Sequence, residues 1–378
     1  MAKLSLAELA AAVASYIVSN KVAYASFTET RNNIVGLLDK IGKIVQLDTS
    51  FFDKLPELDG EPLSYGKTVE EFYQDLIAAQ DYNQDVDGSR ALKFYSPTYR
   101  PVCYNVSLGK KVIATSIPNN NIERAVHNEG QFIDIISTMT KRLSDSKAMW
   151  KYQCKRELLG KLCDLAAAAY SGATAYANYA DTPTNVTEGS FYKQSTNYAV
   201  CVKSKTAASG DTWATMVAGG YLIPIKFVKE VAIPEDTSTG EAFIKALKEK
   251  VEEFQDVSEG NSLNGNTIGA EMGLGLYVKQ GVMPSLEVDT MAGAFHLDQL
   301  EVNANGGKLQ PKVIKDFGST TSKAYAILAD VRICRLHVDY EAVRENFNGA
   351  GDFLNLFSHL ELTGFISRNA AFCIFVDD

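Results

Sequence analysis

No C-x-x-C pair occurs among the six cysteines of this 378-residue chain, Cys103, Cys154, Cys163, Cys201, Cys334 and Cys373. That spacing offers neither a zinc-holding thiolate set nor a redox dithiol. In a chain of this length the six read as reduced, partly buried thiols of a cytosolic compartment, which leaves the sequons at Asn105 and Asn185 without meaning. Histidine is scarce: His127, His296, His337 and His359 fall in no H-E-x-x-H or other ligand spacing and read as structural. The chain also lacks a basic stripe. Its net charge is −9 with a pI near 5.2, and Lys110-Lys111, Lys155-Arg156 and the lysines at 245, 248 and 250 are short clusters diluted by acids. A sequence-specific DNA reader is thereby disfavoured. No uninterrupted apolar run reaches about 18 residues, so no membrane span is expected. Glu8 breaks any signal-peptide core, and Leu6, Leu9, Val13 and Ile17 recur at helical spacing instead.

The familiar catalytic motifs are missing as well. Gly60-Glu-Pro-Leu-Ser-Tyr-Gly66-Lys67-Thr68 approaches a phosphate loop, but five residues separate its glycines where four are needed, and Pro62 has no N–H to offer. No G-x-S-x-G elbow is present, and Gly269, Gly273 and Gly275 do not make a dinucleotide fingerprint. The acidic pairs Glu70-Glu71 and Glu252-Glu253 read as solvated. No catalytic, cofactor-binding or metal-binding residue is assigned, and no cofactor is expected.

What is present is an ordered series of elements, 46% hydrophobic and 22% charged, with no Pro- or Ser-rich linker between them. Helices are predicted over residues 1–20 and 28–45. The segment from Ser64 to Ile77 reads as the outgoing arm of a long hairpin. Val102, Tyr104, Val106 and Leu108 alternate with polar residues along its returning arm. The tip between them carries Asp81, Asn83, Asp85, Asp87 and Gly88. An isolated hairpin is marginal in water, so this one must lean on its own domain or on a neighbour. Helices follow over 122–128, 131–143 and 146–170, the last a rod of roughly 37 Å. Leu222–Ile233 alternates. Ser238 and Glu241 suggest a capping box for a helix that buries Phe243, Ile244, Leu247, Val251 and Phe254. A Gly/Asn-rich loop (259–275), a strand at Leu276–Val278 and a helix near 288–295 precede four closing strands: Ala324–Leu328, Val331–Val338, Phe353–Leu362 and Asn369–Val376. Leu354, Leu356, Leu360 and Leu362 share one face at period two.

This order of parts resembles the Hong Kong 97-like fold of tailed-phage major capsid proteins. It is most similar to those of small short-tailed phages that infect Bacillus and related Firmicutes. The residues that carry the resemblance are Leu38-Asp-Lys-Ile-Gly42, Gly66-Lys-Thr-Val-Glu-Glu-Phe-Tyr-Gln-Asp75, Gln131-Phe-Ile-Asp-Ile-Ile136, Leu286 to Phe295, and Ser367-Arg-Asn-Ala-Ala-Phe372. The resemblance implies an α+β fold in five segments: an N-terminal arm (1–48), an extended hairpin loop (49–116), a peripheral domain with a spine helix (117–234), an axial α/β domain (235–322), and strands returning to close the peripheral sheet (323–378). In the best-known relatives an immunoglobulin-like domain follows the closing strand; this sequence runs to Asp378, and a decoration role of that domain is not expected to carry over.

For function, the resemblance implies a non-enzymatic head protein that self-assembles into pentamers and hexamers of an icosahedral shell. Its expected partners are other copies of itself, a scaffolding protein, a portal, and packaged double-stranded DNA met only by non-specific proximity, with no membrane. A non-covalent shell and an uncleaved chain are expected. Two other readings remain: a nanocompartment shell of the same fold, and a nucleotide-binding enzyme using the Gly66-Lys67-Thr68 turn. The physical expectation beneath the shell reading is that residues 64–115 carry more apolar surface than one subunit can cover.

Overall fold

The computed structural model describes residues 53–63, 69–74, 99–103, 105–118, 129–179, 184–268, 273–283, 303–304, 307–318, 320–351 and 353–377. The predicted helices at 1–20, 28–45, 122–128 and 288–295, the hairpin tip, and the Gly66-Lys67-Thr68 turn lie outside these residues.

In chain order, β1 (Glu70–Gln74), β2 (Tyr99–Cys103) and β3 (Asn105–Pro118) precede helix α1 (Glu129–Ser171). Strands β4 (Thr174–Ala175), β5 (Phe191–Gln194) and β6 (Asn197–Cys201) lead to the short helix α2 (Trp213–Ala218). Next come β7 (Leu222–Pro224), β8 (Val228–Glu230) and α3 (Thr237–Gln255). The remaining strands are β9 (Val257–Glu259), β10 (Asn266–Ile268), β11 (Leu274–Lys279), β12 (Asn303–Ala304), β13 (Gly307–Lys308), β14 (Pro311–Ile314), β15 (Ala324–Asp330), β16 (Cys334–Asn348), β17 (Phe353–Ile366) and β18 (Phe372–Val376).

Helix α1 corrects the sequence reading. Two helices were expected where one of 43 residues runs, about 64 Å at 1.5 Å per residue. Ser144, Asp145 and Ser146 resemble cap residues, but no glycine or proline lies between Gln131 and Leu159. Nothing there forces the backbone out of its i→i−4 ladder.

The chain divides into two units. The first gathers the described residues within Met1–Tyr65, Ser107–Cys154 and Leu336–Thr363. Its frame is the three-stranded sheet β16-β17-β3, whose strands of 15, 14 and 14 residues are far longer than the usual five or six. Val331–Val338 was expected as one strand; instead residues 331–333 form a turn and β16 continues to Asn348. The alternation predicted for β17 is present: Leu354, Leu356, Leu360 and Leu362 are all buried. A segment after the turn Pro56–Leu58 runs beside β16, with Gly60 N–H donating to the Leu336 carbonyl (2.8 Å) and Leu63 N–H to that of Val338 (3.0 Å).

The second unit gathers the described residues within Gly66–Val106, Lys155–Arg335 and Gly364–Asp378. Its centre is a five-stranded sheet in the order β14-β11-β15-β18-β8. β11 and β14 pair in parallel, as do β18 and β8; the inner pairs are antiparallel. One face meets α3 through Phe243, Leu247, Val251 and Phe254, packed with Leu276, Val278, Leu328 and Phe375. Residues Tyr277, Ile327 and Ile374 are also fully buried, so both faces of the sheet are covered. That accounts for the unbroken apolar run of β15, as in sheets sandwiched between layers. On the side of Phe372, its ring stacks on Phe227 (5.0 Å), and Phe227 meets Tyr170 of α1 edge-on (5.6 Å).

The cap of α3 is Asp236 rather than Ser238. The Asp236 carboxylate accepts from Thr239 N–H at 2.8 Å, and Thr239 Oγ1 accepts from Asp236 N–H at 3.1 Å. A carboxylate there also complements the helix dipole. Leu222–Ile233 divides between two sheets, since β7 closes the four-stranded sheet β4-β5-β6-β7 while β8 edges the five-stranded one. The chain turns between them against Gly260, where φ is +83° and a Cβ would lie 1.9 Å from the Pro224 carbonyl oxygen; only glycine fits. The loop expected at 259–275 contains strand β10, paired antiparallel with β9.

Candidate assembly surfaces

Two surfaces of the described residues leave large apolar side chains in water. The first is the hairpin base. β1 and β2 pair antiparallel from Glu70↔Cys103 to Gln74↔Tyr99, so the outgoing arm meets a returning strand at 99–103. Val106 and Leu108, read from the sequence as part of that returning arm, lie instead on β3, which pairs with β17. They form a two-stranded sheet of their own. Successive strand residues point to opposite faces, and here the faces differ. Phe72 is 59% exposed, whereas Glu71 beside it is half-buried.

The second is one side of the sheet β16-β17-β3. Lys111 lies over the ring of buried Trp150 of α1 (5.7 Å), and Lys147 of α1 pairs with Glu341 of β16 at 2.9 Å. The helix therefore covers that side. The adjacent residue Lys110 points the other way, its ammonium 4.6 Å from the Tyr340 ring centre. On this open side Ser116 Oγ donates to Asn355 Oδ1 at 2.6 Å. Along β17 the residues between the buried leucines, Asn355, Phe357, His359 and Glu361, are only half-buried. Val112 is 48% exposed and Tyr340 38%. Val343 and Met149 are exposed in the same unit.

The polar groups of the second unit are arranged to hold loops. Asp164 of α1 accepts from Thr320 Oγ1 (2.8 Å), Thr321 N–H (2.9 Å), Thr321 Oγ1 (3.0 Å) and Ser322 N–H (3.2 Å). Burial works to raise its pKa, but these bonds outweigh it and hold the carboxyl below the ordinary carboxylate range. Arg156 similarly pairs with Asp316, which also accepts from Gly318 N–H at 2.8 Å. Burial pushes the thiols of Cys334 and Cys373 up to about 12, and that of Cys163 up as well, so they remain protonated. Cys154, Cys163, Cys201, Cys334 and Cys373 are buried and outside any disulfide.

Of the histidines, His337 lies on β16 with Nδ1 2.8 Å from the Glu61 carbonyl oxygen, and His359 lies on β17. The other two fall outside the described residues. Among the described residues no group of three or more His, Cys, Asp or Glu side chains is placed to hold a metal, and no helix is long and apolar enough to cross a membrane. Glu71 is the residue the sequence reading mistook: its neighbour Glu70 is exposed, but Glu71 turns toward Ser367.

A five-stranded α/β sheet unit, a long helix, a sheet of long strands and a two-stranded ribbon are the parts of the Hong Kong 97-like capsid architecture. The capsid structure of Staphylococcus phage Andhra has a TM-score of 0.53 at 10% identity, over 88% of this chain and 86% of that one. A structure of native bacteriophage P68, describing its head fiber and inner core protein, has a TM-score of 0.50 at 12% identity, over 88% and 86%. No curated protein matches the sequence. The chain belongs to the Phi29-like phage major capsid protein family, whose model matches residues 3–376. It is a structural subunit of a phage head, and the virion is where it resides.

Proposed function

We propose that this subunit assembles into pentamers and hexamers of an icosahedral shell that encloses packaged double-stranded DNA. Scaffolding protein and portal are its assembly partners in the bacterial cytoplasm. The arm, hairpin loop, peripheral, axial and closing segments at 1–48, 49–116, 117–234, 235–322 and 323–378 divide that work. The observation that carries the reading is the ribbon β1–β2, a two-stranded sheet with Phe72 59% exposed. Ribbons of this kind are marginal alone, and burying a phenylalanine side chain stabilises by about 1.5–3 kcal/mol. A neighbouring copy buries this exposed face, and closed rings of such head-to-tail contacts repeat it around the shell. The acidic balance fits a container that has no need to grip its DNA.

Electron microscopy and sedimentation of the purified protein, alone and co-expressed with its scaffolding neighbour, test this. Closed shells or ordered sheets are expected. A persistent monomer that binds nucleotide saturably through Gly66, Lys67 and Thr68 would overturn it.

A further inference from the structure

We propose that Glu71 is the pivot that sets the direction of the hairpin, and with it the geometry of the shell; the inference rests on the assembly reading above. The Glu71 carboxylate accepts from Ser367 Oγ at 2.5 Å and from Arg368 N–H at 3.2 Å. Both donors belong to the turn between β17 and β18, which is held in place from several directions. Ser367 N–H donates to the Ile333 carbonyl at 2.7 Å, and Asn264 N–H to that of Arg368 at 3.0 Å. Asn264 Nδ2 donates to Asn369 Oδ1 at 2.7 Å. Ser367 Oγ in turn accepts from Ala370 N–H at 2.9 Å and Asn369 N–H at 3.2 Å. Ser367 is 2% exposed, and the strand that follows is at the heart of the five-stranded sheet. The receiver of the Glu71 carboxylate is thus an extension of the rigid core.

The acceptor side is a narrow ribbon. Phe72 is 59% exposed, and Glu71, on the opposite face, is the side chain that reaches the turn. Through the register Glu71↔Val102 the returning arm is aligned by the same anchor. From Glu71 to Gln74 the strand extends about 10 Å, so a tilt of about 10° at the anchor displaces the far end of β1 by about 2 Å. That is enough to lose a packed contact with a neighbour.

The test uses the full-length chain under conditions where it forms shells, comparing Glu71→Ala, Glu71→Gln and the control Glu70→Ala. Glu70 is exposed on the other face. Amide exchange in the unassembled Glu71→Ala subunit is expected to rise about tenfold or more over 70–74 and 99–103 and stay unchanged over 372–376, as removal of a charge-assisted pair predicts. Closed shells are expected to give way to misshapen or open particles, while the melting temperature of the subunit stays near that of the unaltered chain. Glu70→Ala is expected to assemble normally. Should Glu71→Ala fail to fold, Glu71→Gln decides, because its amide keeps the packing but turns an N–H₂ toward one of the two donors. Regular shells from a folded Glu71→Gln or Glu71→Ala subunit would overturn the pivot. Failure of the unaltered chain to form shells would instead overturn the assembly reading.

Discussion

Phe375 and Phe72 are both strand phenylalanines of the same unit, yet one is fully buried and the other is 59% exposed. Phe375 sits on β18, with Phe243 of α3 edge-on at 5.2 Å and Tyr325 at 6.5 Å. Its surroundings come wholly from this chain. Phe72 sits on a ribbon whose described strands pair with each other alone. The core is finished within one subunit; on the assembly proposed above, the ribbon is finished by another copy. Stability and assembly are accordingly carried by different residues, and substitutions should separate them.

The largest loss of subunit stability is expected from Phe375→Ala. Emptying a sealed aromatic site costs about 3–5 kcal/mol, read as a large drop in the thermal midpoint and in soluble yield. An unchanged midpoint would mean that the α3 face of the sheet is not the core.

A smaller loss is expected from Asp164→Ala, which removes the acceptor for Thr320, Thr321 and Ser322. Solvent access reduces what these bonds contribute, so the cost is about 1–2 kcal/mol. The effect should depend on pH. A carboxyl held below its ordinary 3.8 contributes stability that is complete above that value and fades as pH falls through its lower folded-state pKa. The gap in melting temperature between the unaltered chain and Asp164→Ala should therefore be constant near neutrality and narrow below about pH 3.8. A gap that widens in acid would contradict the direction of the shift.

The smallest effect on the isolated subunit is expected from Phe72→Ser. An exposed residue outside the core changes stability by no more than about 0.5 kcal/mol. Shell formation should nevertheless fall sharply. A variant that assembles as well as the unaltered chain would erase the contrast between Phe375 and Phe72.

Much of this frame was legible in the sequence. The leucines at 354, 356, 360 and 362 and the 243–254 face of α3 announced their burial by period alone, because each lies on an element with one covered side. The hairpin was legible only in part: the period-two run through Val106 and Leu108 belongs to β3 beside β17, and the strand that pairs with β1 is Tyr99–Cys103. What period cannot convey is a long-range partner. Asp164 is an ordinary helix carboxylate until the fold brings Thr320 to it, 156 residues away. Glu70-Glu71 looked like one solvated pair, yet strand alternation sends the two carboxylates to opposite faces, and Ser367 lies 296 residues from its acceptor. The span of α1 was misread because serines that cap helices elsewhere are tolerated within one when nothing breaks the ladder.

The most direct test is a cryo-EM reconstruction of the assembled particle, read at Phe72 and at Val112 and Tyr340 on the open side of the long-stranded sheet. The account predicts that these side chains, exposed in the lone subunit, are covered by neighbouring copies in the shell. If they face solvent in the closed particle as they do in the single chain, assembly is driven from elsewhere and the account is wrong.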